Sequence, residues 1–151
     1  MWRSTYQRLE GILVDKKKLK QYRALLRELP KLNRDIGILQ ERLDNVPIVS
    51  GKVTKSSDDF PYIEQHMTVQ MQEPKEAAEI RRQITIKEKR RDSADHDKTE
   101  IEEFIAAIQD STDRQIFELS YIDGKRQADV AKEVGYSQGR VSQIIGKYLK
   151  D

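Results

Sequence analysis

The sequence predicts an all-α protein, with a helical, coiled-coil-like N-terminal part, a long helix, and a C-terminal trihelical domain. Three observations lead there. Apolar residues recur at helical spacing, with Ile12, Leu19 and Leu26 seven apart and Tyr22 and Leu29 in a parallel row. Charged residues make up 36% of the chain, as many as the hydrophobic set, which suits helices with solvated flanks better than one large core. Finally, the stretch QADVAKEVGYSQGRVSQII, from Gln127 to Ile145, divides into two short helices around a glycine.

The totals narrow the class further. A length of 151 residues allows one domain of ordinary size or two small ones. The absence of cysteine excludes disulfides and thiolate metal sites. No apolar run approaches a membrane span and the N-terminus lacks the apolar stretch of a signal peptide, so a cytoplasmic protein with no membrane partner is expected. Net charge is +2, unevenly spread. Residues 1–47 carry 11 Lys/Arg against 6 Asp/Glu, residues 48–124 carry 11 against 17, and residues 125–151 carry 6 against 3. Basic ends around an acidic middle suit a polyanionic partner.

Residues 1–47 form a basic helical segment. Its first helix should run from Tyr6 to Leu29, flanked by Lys16, Lys17, Lys18 and Lys20, until Pro30 ends or kinks it. A second run places Leu32, Ile36, Leu39 and Leu43 on one face, closed by Asn45-Val46-Pro47. These rows serve packing or oligomerisation. Residues 48–73 change character, with Ser50, Gly51, Ser56, Ser57 and Pro61 beside β-favouring Tyr62, Ile63, Thr68 and Val69, and read as a loop or small hairpin. His66 and His96 lack partners at ligand spacing, so surface or hydrogen-bonding roles are expected rather than metal, and no cofactor is implied.

Residues 74–110 read as a long linking helix opened by Pro74. Ala77, Ile80 and Ile84 mark one face, and Ile101, Phe104, Ile105 and Ile108 another stretch. Between them, KEKRRDSADHDKTE has almost nothing to bury: it is the exposed middle of a helix about 50 Å long, or a break near Asp92-Ser93. Residues 111–151 complete the chain. Thr112 and Gln115 match a capping box for a helix to Ile122, with Ile116 and Leu119 inward and Asp123-Gly124 at its end. The next helix, Gln127 to Val134, buries Val130, Ala131 and Val134, and Gly135 is placed for a positive φ. Ser137 is a good N-cap for the last helix, whose buried face is Val141, Ile144, Ile145, Tyr148 and Leu149. Helices this short are marginal alone and hold only as a trihelical unit.

Gln127, Ala131, Gly135, Val141 and Ile144 fall where the helix-turn-helix of phage repressors places glutamine, alanine, glycine and two aliphatics. Extended upstream, STDRQIFELSYIDGKRQADVAKEVGYSQGRVSQIIGKYL resembles the promoter-binding fourth region of bacterial sigma factors, over about the last quarter of the chain. The layout, including the "D-D-F-P-Y" loop, is similar to sigma-like late-transcription regulators of phages of Gram-positive bacteria. The resemblance implies a helix-turn-helix DNA-binding domain at residues 111–151. Arg126 stands where such domains usually carry a Ser or Thr cap, Gly139 and Gly146 interrupt the recognition helix, and no counterpart of the promoter-melting region is visible. Gly139 is either tolerated or permits close approach to DNA.

Subtracting the buried positions of the last helix leaves Gln138, Gly139, Arg140, Ser142 and Gln143 as base-reading candidates, since glutamine pairs with adenine and arginine with guanine in the major groove. Lys125, Arg126, Ser137, Lys147 and Lys150 are candidates for phosphate contacts, which position without reading sequence. The expected function is a sequence-specific transcription regulator on double-stranded DNA that contacts RNA polymerase, with a homodimer favoured through the N-terminal seam. The alternative is an adaptor for DNA packaging like the small terminase subunits of phages, distinguished by a ring of about eight or more subunits. An enzyme is not expected: there is no phosphate-cradling glycine loop or cysteine nucleophile, and acids such as Asp58-Asp59 and Glu102-Glu103 are adjacent and cannot share a helix face.

Overall fold

The computed structural model describes residues 14–56 and 64–149. Ile12, the loop at 58–62 and Lys150 lie outside the described residues, as does the side chain of His66. The helices are α1 (Lys16–Lys20), α2 (Tyr22–Asp44), α3 (Pro74–Ala106), α4 (Ser111–Phe117), α5 (Gln127–Val134) and α6 (Gln138–Tyr148). One antiparallel hairpin, β1 (Ile48–Ser56) with β2 (Glu64–Gln72), is the only sheet among the described residues, so the fold is all-α. Two compact units form: Leu32–Arg90, and the residues up to Lys31 together with those from Arg91 onward.

In the first of these units, Ile36 and Leu39 of α2 pack with Val46 and with Ala77, Ile80 and Ile84 of α3, while Leu43 covers the edge. The hairpin register pairs Ile48 with Gln72 and Ser56 with Glu64. Its base is anchored where Gln72 Nε2 donates to the Leu43 carbonyl at 2.7 Å and the Glu73 N–H to the Pro47 carbonyl at 3.0 Å. Pro74 opens α3 without a lost bond, and the Glu73 carboxylate accepts from the Glu76 N–H at 2.6 Å, so Glu73 caps the helix. Lys87 reaches Asp35 at 3.2 Å.

Two sequence expectations are corrected in the N-terminal helices. No helix runs unbroken from residue 14 to Leu29: Asp15 caps α1, accepting from the Lys18 N–H at 2.7 Å, and Gln21 separates α1 from α2. Pro30 does not end the helix, since α2 passes through it to Asp44. An interior proline costs about 3 kcal/mol, but Leu25, Leu32, Ile36 and Leu39 continue one buried stripe on both sides of it, and their burial offsets that loss. The proline itself faces solvent. The long helix α3 does not break at Asp92-Ser93 either; its polar middle stays helical and buries Ala94.

The second unit has one continuous core. Leu19, Tyr22 and Leu25 pack with Ile101, Phe104, Ile105 and Ile108, and these with Ile116, Phe117, Val130, Val141, Ile144 and Ile145. Phe117 is the hub: its ring meets Phe104 edge-on at 5.9 Å, Tyr148 edge-on at 5.6 Å and Tyr121 at 5.8 Å. At the rim, Lys18 bridges Asp97 at 3.2 Å and also Glu100, and His96 sits exposed beside Glu100 at 3.4 Å.

Tyr22 donates its hydroxyl to Glu102 Oε1 at 2.6 Å. Burial, and then the Glu102 carboxylate, push this phenol up to about 12. The folded chain therefore holds the proton more tightly than the unfolded chain. That contribution is present below about pH 10 and is lost as pH rises through about 12. Urea titrations of the protein and of Tyr22→Phe across this window should show the wild type losing up to about 2 kcal/mol relative to the variant. A gap that stays constant with pH would show that the phenol is not perturbed.

Candidate nucleic-acid interface

The C-terminal helices begin with a cap that differs from the expected one. Asp110, not Thr112, caps α4, its carboxylate accepting from the Asp113 N–H at 2.9 Å, while Gln115 donates instead to the Ser111 hydroxyl at 3.2 Å. A carboxylate two residues earlier also favours the helix dipole, which is why it outcompetes the hydroxyl. Arg114 ties the incoming chain by donating to the Ile108 carbonyl at 2.9 Å. After Phe117 the backbone widens into a π-helical turn, Glu118–Ile122, closed by the Asp123 N–H on the Glu118 carbonyl at 2.9 Å. This turn sends Tyr121 into the core, where burial raises its pKa. Gly124 then adopts φ +71°, and the Arg23 guanidinium holds the preceding Asp123 carbonyl.

Helix α5 starts at Arg126, which supplies no side-chain cap. Val130 and Ala131 are its buried residues, and its end is set by Gly135 at φ +76°. There the N–H groups of Gly135 and Tyr136 both donate to the Ala131 carbonyl at 3.0 Å, a Schellman-type closure that reverses the chain within two residues. Ser137 caps α6, its hydroxyl accepting from the Arg140 N–H at 3.1 Å. Val141, Ile144 and Ile145 then pin α6 to the core, with Leu149 buried just beyond it. At the far end, the Tyr148 hydroxyl donates to the Asp113 carboxylate of α4.

This anchoring leaves Gln138, Gly139, Arg140, Ser142 and Gln143 exposed together on the outer side of α6. The fold requires neither glycine of this helix to be glycine: a Cβ at Gly139 or Gly146 would meet nothing within 4 Å. The phosphate candidates are more varied. Lys125 is paired with Glu133, which raises its pKa, and Arg126 Nε lies 3.3 Å from Asp129. Such exposed pairs are screened by solvent and hold weakly, so a phosphate can displace them. Lys147 sits 5.5 Å above the Tyr148 ring, and Ser137 is exposed with its oxygen already engaged as the cap. Two exposed residues of these helices and their turn were not among the sequence candidates: Lys132 on α5, and Tyr136, 41% exposed in the turn. Subtracting the buried positions of α5, as was done for α6, would have found Lys132, whereas Tyr136 lies in the turn beyond that helix.

Two short helices crossing at a positive-φ glycine, with a polar outer face on the second, define a helix-turn-helix. Residues 110–150 match the family "Sigma-70, region 4", a DNA-binding helix-turn-helix rather than an enzymatic family. The match begins at Asp110, the residue that caps α4. The C-terminal part of the chain is thus similar to the fourth region of sigma factors. No curated protein and no solved structure matches the chain. No helix among the described residues is long and apolar enough to cross a membrane.

Proposed function

We propose that the chain is a sequence-specific transcription regulator that inserts α6 into the major groove of promoter DNA. The support is the outer face of α6, where Gln138, Arg140, Ser142 and Gln143 are exposed and make no side-chain bond among the described residues. Amide and guanidinium groups held free on a helix anchored from behind are the donors and acceptors that read base edges. Gly139, unconstrained by its own fold, leaves room for a close approach of the duplex. Lys125, Arg126, Ser137, Lys147 and Lys150 contact phosphates. The similarity to sigma-70 region 4 favours contact with RNA polymerase, and the wider layout favours a phage-encoded, late-acting regulator in the cytoplasm.

A single small module buries roughly 600–1,000 Å² on DNA, which favours a dimer on half-sites roughly 34–36 Å apart. Mass measurement in solution with promoter DNA checks this; a ring of about eight or more subunits would point instead to a packaging adaptor. Footprinting on promoter fragments tests the main reading, and uniform binding with no protected site would sink it.

Arg140→Ala and Gln143→Ala should each weaken cognate binding by roughly 1–3 kcal/mol and leave random DNA much less affected. Lys147→Ala should instead lower affinity on all sequences and reduce the salt slope by about one. Equal losses on cognate and random DNA for Arg140→Ala and Gln143→Ala would make those two residues phosphate contacts.

A further inference from the structure

A cleft of about 330 Å³ opens between the start of the N-terminal helices and the segment that leads into α5. Its floor is apolar, formed by Leu19, Tyr121 and Ile145, and its rim carries Lys16, Lys20, Arg23 and Lys125. No acidic side chain lines it. Lys16 and Lys20 lie four apart on α1 and share one helical face, Arg23 at the start of α2 lines the same cleft, and Leu19 anchors α1 to the core. Lys18, one position away on the other side, has its carboxylates in Asp97 and Glu100. Lys16 and Lys20 have no ion-pair partner among the described residues.

Lys125 is held by Glu133 and Arg23 by the Asp123 carbonyl, so the charge left open at this rim is that of Lys16 and Lys20, and the potential they raise draws an anion. The rim is continuous with the helix-turn-helix, because Lys125 and Gln127 belong both to the cleft and to the entry of α5. We propose that this cleft is a second contact for the DNA backbone, which the N-terminal helices add to the footprint of α6. It rests on the DNA-binding reading above. Three of the four cations lie outside residues 110–150, so the contact is not part of the region that matches sigma-70 region 4. The occupant is the phosphodiester strand flanking the groove that α6 enters, which is the polyanion nearest to this rim in that reading.

The test is the full-length chain carrying Lys16→Gln and Lys20→Gln, titrated with a random duplex of about 30 base pairs at several salt concentrations. Each phosphate contact contributes about 0.9 to the slope of log affinity against log salt, so the double variant should lose nearly two units of slope. Lys16→Arg with Lys20→Arg keeps the charge and should keep the slope. Circular dichroism confirms that both remain folded. An unchanged slope in a wild type that does bind the duplex overturns the cleft contact alone. A wild type that binds neither random nor promoter DNA overturns the DNA-binding reading and this contact with it. Lost affinity with an unchanged slope marks a packing effect and also overturns the contact. Unchanged duplex binding with lost retention on poly-glutamate would assign the cleft to an acidic protein segment instead.

Discussion

Phe117→Ala is expected to cost about 3–5 kcal/mol of stability and to remove DNA binding as a consequence. Its side chain is fully buried and its ring touches Phe104, Tyr121 and Tyr148, which come from α3, the π-helical turn and α6. Truncation leaves a ring-sized void at the point where these elements meet. The alanine loses both the transfer energy of the ring and the edge-on contacts worth about 0.5–1.5 kcal/mol each. A domain of ordinary stability, about 5–15 kcal/mol, would be left marginal. Urea unfolding followed by circular dichroism measures the loss. A change below about 1 kcal/mol would show that Phe117 is not the hub of this core.

Leu19→Glu and Leu26→Glu, made separately, should differ sharply. Leu19 is 1% exposed in the core with Ile101, Phe104 and Ile105, whereas Leu26 is 37% exposed. A carboxylate at Leu19 must stay charged in apolar surroundings, bind a proton at a raised pKa, or force the helix off the core. Each route costs several kcal/mol, enough to unfold the unit. At Leu26 the carboxylate reaches water and the change should stay within about 1 kcal/mol. Thermal melts and sedimentation mass, read together, decide the role of the seam. If Leu19→Glu stays folded and only halves the mass, the seam joins two copies. If it unfolds while Leu26→Glu does not, the seam is internal.

That seam shows how far periodicity reaches. Heptad spacing at Leu19 and Leu26 makes a helix with an apolar face legible, but it does not say what covers the face. The expectation of a second copy rested on the polar middle of α3, which cannot cover a whole seam. In the structure the face is covered within the chain: Leu19, Tyr22 and Leu25 share a core with the apolar end of α3 and the C-terminal helices, and Leu26 turns outward. Leu19 and Tyr22 are therefore not available to a partner copy.

Pro30 and Asp110 mark a second boundary of what is legible. A proline inside a helix has a known local cost, and reading that cost alone predicts an end or a kink. The helix survives because the stripe continues from Leu25 through Leu32 to Ile36, a sum over contacts that no local window contains. At α4 the spacing of Thr112 and Gln115 pointed to a capping box, and the cap is Asp110 instead. Asp110 accepts from the Asp113 N–H, and Arg114 holds the Ile108 carbonyl just before it.

The elements around α5 and α6 were readable because their chemistry is local. Gly135 takes its positive φ, Ser137 caps within one turn, and Val141, Ile144 and Ile145 fall inward at helical spacing, all within about ten residues. Which residues of α6 face outward follows from that period alone. The state of the phosphate candidates did not follow: Glu133 holds Lys125 from eight residues away, and Lys147 lies over a ring. The cationic cleft did not follow either, since Lys16 and Lys125 are separated by more than a hundred residues and meet only through the core beneath them. Sequence alone determines what a residue does within a helical turn, because backbone bonds and side-chain period act at that range. Which distant faces meet is decided by the packing of the whole core, where many small burial terms add and no single residue carries the choice.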